Sequence, residues 1–395
     1  MAGPLAGIVV LDLSRALAGP YCSLMLGDAG AEIVKVEQPG RGDDSRAWGP
    51  PFLAGESSYY LSVNRNKRSI TLNLKNKRAK EALRRLAARA DVLLENFTPG
   101  TAARLGFSYE DVRKLNPAII YCSISGFGQD GPGRDRAAYD IIVQGMSGWM
   151  SITGEPGGTP IRPGVPTADM TAGMFAAFAI MLALYRRQQT GAGAYVDTSL
   201  LEAHVALLGH QAGRYFATGV PPVATGNRHA SIAPYESLKT ADGHVNVAVG
   251  NDSLWQRFCS ALGLEHLASD ARFATNPDRL ANRDALAAAI EARLADLSTA
   301  RVVELLSEVG VPCGPIYNLH EVFSDPQAQH LGLRRLIDHP TIGKISQVPA
   351  PYRIDGAEPS AMTPPPLLGQ HTEEILRELG YSEADIVAMR QEGAI

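Results

Sequence analysis

Short apolar runs alternate with helical stretches from the N-terminus onward. Ile8–Asp12 reads as a strand, Pro20–Asp28 as a helix with proline in its tolerant first turn, and Ala31–Glu37 as a second strand beyond Gly30. Two strands joined by a crossover helix run parallel, and helices must cover the faces of their sheet. The alternation continues. Arg78–Arg89 is helical, Asp91–Glu95 and Ile119–Ile124 are strands, and Ala194–Thr198 is another strand followed by a helix over Ser199–Ala217. An α/β fold with an open parallel sheet follows, and 395 residues leave room for a second core.

The sequence changes character beyond that helix. Gly219–Pro234 is linker-like, and Tyr235–Val249 reads as two strands turning at Ala241-Asp-Gly243. Gly250-Asn-Asp-Ser253 caps a following helix, and helices over Asp278–Leu297 and Ala300–Val309 complete a smaller α+β block. The expected division is a large domain over 1–224, a small α+β domain over 225–315, and a tail over 316–395 returning to the large domain. The tail carries a Pro-rich run at 349–366, long for a compact connection, then Gly369-Gln-His-Thr372 before a final pair of helices.

Charge and cysteine usage exclude several classes. A net charge of −4 gives no nucleic-acid signature. Four scattered cysteines without a CxxC fit a reduced, cytoplasmic protein, and no basic region precedes the first apolar stretch as in a signal peptide. Met170–Tyr185 is short for a bilayer and rich in Ala and Gly, so a closely packed buried helix is expected and no membrane span.

Ligands of open α/β sheets sit outside the carboxyl ends of the strands. Arg15, Asn96 and the glycine-rich Gly126–Gly133 follow three such ends and are expected to share one crevice. Glu37 ends the second strand, where nicotinamide folds hold a ribose, but Ser14–Pro20 lacks the GxGxxG turn. The nine histidines contain no HExxH, and His204 and His210 are off a common helical face, so no metal is expected. Neither a GxSxG elbow nor a GxxxxGK[ST] loop occurs. Lys67-Arg68 and Lys75-Asn-Lys-Arg78 form either a solvated basic face or a seat for an anionic tail. Asp169 stands after the Gly/Pro-rich 154–166 loop, at the start of the long apolar run. There it is either a helix N-cap or an ionised nucleophile able to attack an activated acyl group, for which thioesters are the natural donors.

Several stretches resemble the class III CoA-transferases, which include formyl-CoA:oxalate and carnitine CoA-transferases. They are Leu11-Asp-Leu-Ser-Arg-Ala-Leu-Ala-Gly-Pro20, Asn64-Arg-Asn-Lys-Arg-Ser69, Glu95-Asn-Phe-Thr-Pro-Gly100, Gly126-Phe-Gly-Gln-Asp-Gly-Pro132, Pro166-Thr-Ala-Asp169 and Arg186–Gly193. The likeness spans the chain, with the motifs in family order. Asp43–Pro51, Ser57–Arg65, His229–Tyr235 and Pro364–Thr372 resemble the succinyl-CoA:glutarate (dicarboxylate) branch most.

The resemblance implies a Rossmann-like large domain plus the small domain, in an interlocked homodimer. It implies Asp169 as the catalytic nucleophile, passing CoA from an acyl-CoA such as succinyl-CoA to a small dicarboxylic acid such as glutarate. Coenzyme A is carried as part of the acyl-CoA substrate, and no metal takes part. The family's CoA contacts fall on Leu17, Ala18, Leu72, Asn73, Leu74, Lys75, Asn96, Phe97, Thr98, Arg104, Arg136 and Tyr139. Gln38 stands where formyl-CoA transferases carry Arg, with Arg41 as its substitute. Where those enzymes have a run of glycines over the active site, this chain has Gly250-Asn-Asp. The remote carboxylate of a dicarboxylate calls for a cation, and Arg15, Arg46 and Arg228, with His229, are the candidates. The racemase branch of the family needs a His before an Asp as a base. Here Tyr139 precedes Asp140, and a phenol is a poor base near neutral pH. A racemase-like enzyme and a non-catalytic CoA-binding relative are the alternatives.

Overall fold

The apolar runs assemble into one parallel sheet. In the computed structural model, which describes residues 3–354 and 362–395, its strands are β1 (Val9–Asp12), β2 (Glu32–Glu37), β3 (Lys67–Thr71), β4 (Val92–Glu95), β5 (Ile120–Ser125) and β6 (Ala194–Ser199). Their spatial order is 3-2-1-4-5-6. That is the doubly wound order, whose direction reverses between β1 and β4 and opens a crevice at their carboxyl ends. Register is set by apolar pairs buried on both faces, such as Val10 beside Ile33 and Val92.

Helices cover both faces. On one, α2 (Lys77–Arg89) presents Ala79, Ala82, Leu83 and Leu86, spaced three and four apart, to a core holding Leu11, Val34, Ile70 and Leu93. The closing helices Thr372–Glu378 and Glu383–Gln391 add Ile375, Leu376 and Met389 to that core. Each fully buried Leu or Ile contributes about 1.5–3 kcal/mol. On the other face lie α1 (Ala18–Asp28) and α4 (Thr167–Thr190), with the short α3 (Asp140–Met146) between them in sequence. A methyl group at Gly173 of α4 would stand 2.5 Å from the Ala18 carbonyl oxygen, so the two helix backbones touch only because glycine is there.

Half of the apolar stretch of α4 is buried, through residues such as Ala168, Ala172, Ala176 and Ile180. It is long and apolar enough to cross a membrane, and its other face leaves Met174, Phe175, Phe178, Met181, Leu182 and Tyr185 exposed. The helix expected over Ser199–Ala217 breaks after Ala206 and resumes at Gly209.

The chain divides into two compact units. One contains Met1–Trp149, Arg162–Gly219 and Gly332–Ile395; the other contains Met150–Ile161 and Val220–Leu331. The sequence division at 225 and 315 thus differs from these limits, and it does not foresee the excursion at 150–161. The second unit holds the expected hairpin, Tyr235–Lys239 against His244–Ala248, with Cys313–Pro315 as a third strand. Trp255, Phe258, Leu286 and Ile290 fill its core. The Pro-rich run at 349–366 falls partly outside the described residues.

Candidate active site

A cavity of about 530 Å³ opens at the carboxyl ends of β1, β4 and β5. Arg15, Asn96 and Gly126 line it together with Asp169. Asn96 joins two of the strand ends by accepting from the Arg15 amide (2.9 Å) and donating to its carbonyl (2.8 Å). Gly126 has a packing reason to be glycine: a Cβ there would lie 2.2 Å from that of Ala138.

Asp169 is not the helix cap. It occupies the first turn of α4, and Pro166 precedes that helix with no capping side chain. Asp140 supplies the cap from α3, its Oδ1 accepting from the amides of Ala168 (3.0 Å) and Asp169 (3.3 Å). Gln144 holds the other oxygen at 2.6 Å. An anion suits a helix N-terminus, but this one also faces the Asp169 carboxylate. Burial, and then the charge of Asp140, push the Asp169 carboxyl up to about 7. No cation pairs with it among the described residues. Tyr59, also in the cavity wall, stays protonated because burial and the nearby acids, Asp169 first, push its phenol up to about 12.

The first turn of α4 is held from behind as well. His204 is buried, with its Nδ1 2.7 Å from Ser147 Oγ and its Nε2 3.0 Å from Thr167 Oγ1, and Trp149 stacks on its ring. Burial lowers the pKa of this imidazole, so it remains neutral.

The opposite wall is the Arg15–Ala18 loop. Ala16 adopts φ +67°, which costs a residue with a Cβ about 1 kcal/mol. Asp43 holds it there, since its Oδ1 accepts from the Ala16 amide (3.0 Å) and the Ser45 amide (2.9 Å). Lys35 pairs with the other oxygen of Asp43 at 2.8 Å, fully buried, and donates to the Ser14 carbonyl. Beside them, Arg46 grips Glu37 with two bonds of 2.7 Å, and Lys67 is buried against Asp12, Asn64 and the Pro20 carbonyl.

These pairs bear on the sequence expectations. Lys67 and Arg68 form neither a solvated basic face nor a free anion seat, because Lys67 is enclosed and Arg68 meets Glu32, Glu374 and Glu378. Arg46 is walled in by Glu37, Glu56 and Tyr60 and does not line the cavity. Arg228 belongs to the second unit, paired with Glu236 and Asp284, as do His229, whose ring lies tilted against that of Tyr235, and Gly250.

A family model described as CoA-transferase family III matches residues 5–372. The chain belongs to CoA-transferase family III. It is 46% identical over 394 residues to the succinyl-CoA:glutarate CoA-transferase of Mus musculus, covering 99% of this chain and 90% of that protein. Its identity to the succinate–glutarate CoA-transferase of Agrobacterium fabrum is 43% over 382 residues, covering 95% and 96% respectively. Among solved structures it is similar to a CAIB/BAIF family protein from Brucella suis, with TM-score 0.87, 41% identity, and coverage of 96% of this chain and 100% of that one.

For a family III CoA-transferase, the expected CoA contacts fall in two groups. Leu17, Ala18, Asn96 and Tyr139 line the cavity with Asp169. Farther out, Phe97 lies under Arg15, Arg104 bonds Thr101, Arg136 lies over Phe127, and the Thr98 carbonyl accepts from Thr101. The Leu72 side chain is packed in the core, with Leu74 against it. Asn73 is engaged by the C-terminal carbonyls of Gly393 and Ala394, and its Oδ1 accepts from the Lys75 amide. Gln38 is exposed, and Arg41 pairs with Asp44 at 2.8 Å.

Sequence reasoning missed Trp48, Tyr59, Asp140 and Arg162, all in the cavity wall. Trp48 and Tyr59 lie within stretches that carry the family resemblance. Arg162 sits in the 154–166 loop, whose sequence signal is its glycines and prolines. Among the described residues, no group of three or more His, Cys, Asp or Glu is placed to hold a metal ion.

Proposed function

We propose that this CoA-transferase carries CoA from succinyl-CoA to a C4–C6 dicarboxylate such as glutarate, with Asp169 as the nucleophile. The observation that carries the assignment is a carboxylate in the strand-end cavity with no cation paired to it among the described residues and with its carboxyl pushed up to about 7. A carboxylate of higher basicity, freed of a counter-ion, is the better nucleophile. The names of the similar mouse and Agrobacterium proteins support the donor and the acceptor class.

In this scheme an Asp169 oxygen attacks the thioester carbonyl, the C–S bond breaks, and CoA thiolate leaves a succinyl-aspartyl anhydride. The thiolate attacks the aspartyl carbonyl, expelling succinate and leaving an aspartyl-CoA thioester. Glutarate attacks that thioester and releases thiolate. The thiolate then takes the glutaryl group from the second anhydride and restores Asp169. Atoms and charge balance at every step, and no outside acid or oxidant is needed.

Leu17, Ala18, Asn96 and Tyr139 would face the thioester end, and Gln38, Arg41, Leu72–Lys75, Phe97, Thr98, Arg104 and Arg136 the rest of CoA. A second copy of the chain is the natural cover for the exposed apolar face of α4, in keeping with an interlocked homodimer. Four free cysteines fit the reducing cytoplasm. Hydroxylamine or borohydride trapping of the enzyme with succinyl-CoA, followed by peptide mass mapping, tests the scheme. The adduct is expected on Asp169; a turning-over enzyme with no adduct there refutes it.

A further inference from the structure

Among the described residues two guanidinium groups line the cavity, and they are not equivalent. Arg15 is already paired, at 3.3 Å, with Asp44, which Arg41 also holds. Arg162 has no carboxylate within ion-pair distance among the described residues. One of its nitrogens donates to the carbonyl of Pro163, its own neighbour, at 3.1 Å. A guanidinium has five N–H donors in a planar fork that matches a carboxylate. Most of that capacity in Arg162 is uncommitted.

Its backbone tether is stiff. Pro163 and Pro166 fix two of the φ angles between Arg162 and the helix that carries Asp169. The Val165 carbonyl accepts from the Thr167 amide at 2.8 Å, and Asp140 clamps the next two amides. The loop therefore delivers the uncommitted cation to the same cavity as the Asp169 carboxylate.

Charge balance in the cavity gives this position a consequence. When the acceptor arrives Asp169 is a neutral thioester and Arg15 is matched by Asp44, which leaves Arg162 and Asp140 to face an acceptor bringing two negative charges. One of its carboxylates is consumed in the attack. The other needs a cation that no protein carboxylate already occupies. We propose that Arg162 is the specificity-determining residue, binding the distal carboxylate of dicarboxylate acceptors and the free carboxylate of succinyl-CoA. The assignment rests on the Asp169 scheme above and adds to it a residue for discrimination.

Arg162→Gln and Arg162→Lys, with Arg15→Gln for comparison, test it on the full-length enzyme. Glutarate is compared with pentanoate, which replaces the distal carboxylate by methyl, and acetyl-CoA serves as a donor without a free carboxylate. Arg162→Gln is expected to lower kcat/KM for glutarate about ten- to a hundredfold, the scale of a charge-assisted hydrogen bond. Pentanoate and the rate of Asp169 labelling by acetyl-CoA stay unchanged, Arg162→Lys restores part of the loss, and added salt narrows the wild-type preference. Equal losses on both acceptors, or a raised KM for acetyl-CoA, would overturn the proposal by pointing to a structural or CoA-binding role. Unchanged preference in Arg162→Gln with its loss in Arg15→Gln would transfer the role to Arg15. If no donor labels Asp169 in the wild-type enzyme, it is the nucleophile scheme that fails.

Discussion

Two sets of carboxylates in the larger unit, one buried and one half-buried, have opposite surroundings. Asp12, Glu37 and Asp43, at the ends of β1 and β2 and just beyond, meet Lys67, Arg46 and Lys35. Burial alone would raise their pKa values, but these cations hold all three below the usual carboxylate range, Asp43 at about 2. Asp169 meets Asp140 instead, and its carboxyl rises to about 7. Glu95 is also buried with no cation paired to it among the described residues and its pKa is raised, but it is satisfied by Ser123 and the Phe97 amide and does not line the cavity, whereas Asp169 does. A matched carboxylate is structural, and an unmatched one retained in a cavity is a sign of chemistry.

The contrast breaks most sharply at Asp169. Replacing it by Asn removes the proposed nucleophile, and turnover is expected to fall by roughly 10⁴ or more, the scale seen when a nucleophile is removed. The same variant should be more stable above neutral pH. Ionising a carboxyl whose folded pKa is raised costs stability as pH climbs from about 4 through 7, and Asn has no such cost. Thermal melts should show Asp169→Asn above wild type at pH 8, with the two curves meeting near pH 4. A melting temperature at pH 8 no higher than wild type would contradict the unmatched charge.

Lys35→Met attacks the opposite side of the contrast. It leaves Asp43 buried without its cation and should cost about 3–5 kcal/mol in denaturant unfolding at pH 7. Here the sign reverses: the wild-type pair contributes above about pH 4 and is lost as pH falls toward 2, so wild type and variant converge in acid. Arg46→Met should destabilise on the same scale through Glu37 while leaving the preference for dicarboxylates over monocarboxylates untouched. A changed preference would return Arg46 to the site.

The smallest effect is expected at Asp140. Asp140→Asn keeps an oxygen to cap α4 but removes the like charge. The acidic midpoint of kcat/KM for succinyl-CoA, expected near the Asp169 value of about 7, should move down and remain above that of an ordinary carboxylate, because burial is the larger cause. An unmoved midpoint would assign the shift to burial alone.

What the sequence made legible follows from the range of the interactions. Val9–Asp12, Glu32–Glu37 and Ile120–Ser125 are strands rich in Val and Ile whose pattern is local, and reading them led to a parallel sheet and a crevice at its strand ends. Asp169 was legible as a candidate because glycine, proline and an apolar helix flank it. The Asp140 cap comes from another helix, so the two uses of Asp169 were not separable by pattern. Lys67 and Arg68 read as a basic face because Asp12, Glu374 and Glu378, which absorb them, are distant in sequence. The 150–161 excursion and the return at Gly332 are likewise non-local.

The contact at Gly173 has a bearing on divergence. Because the helix that carries Asp169 rests on the Ala18 carbonyl main chain to main chain, its seat does not depend on the size of an intervening side chain. Nearby loops, such as 154–166 and the turn after β1, are therefore free to be rewritten for acids of different length and shape. The Asp169 carboxylate, in such a lineage, keeps its depth and aim while the mouth around it is recut.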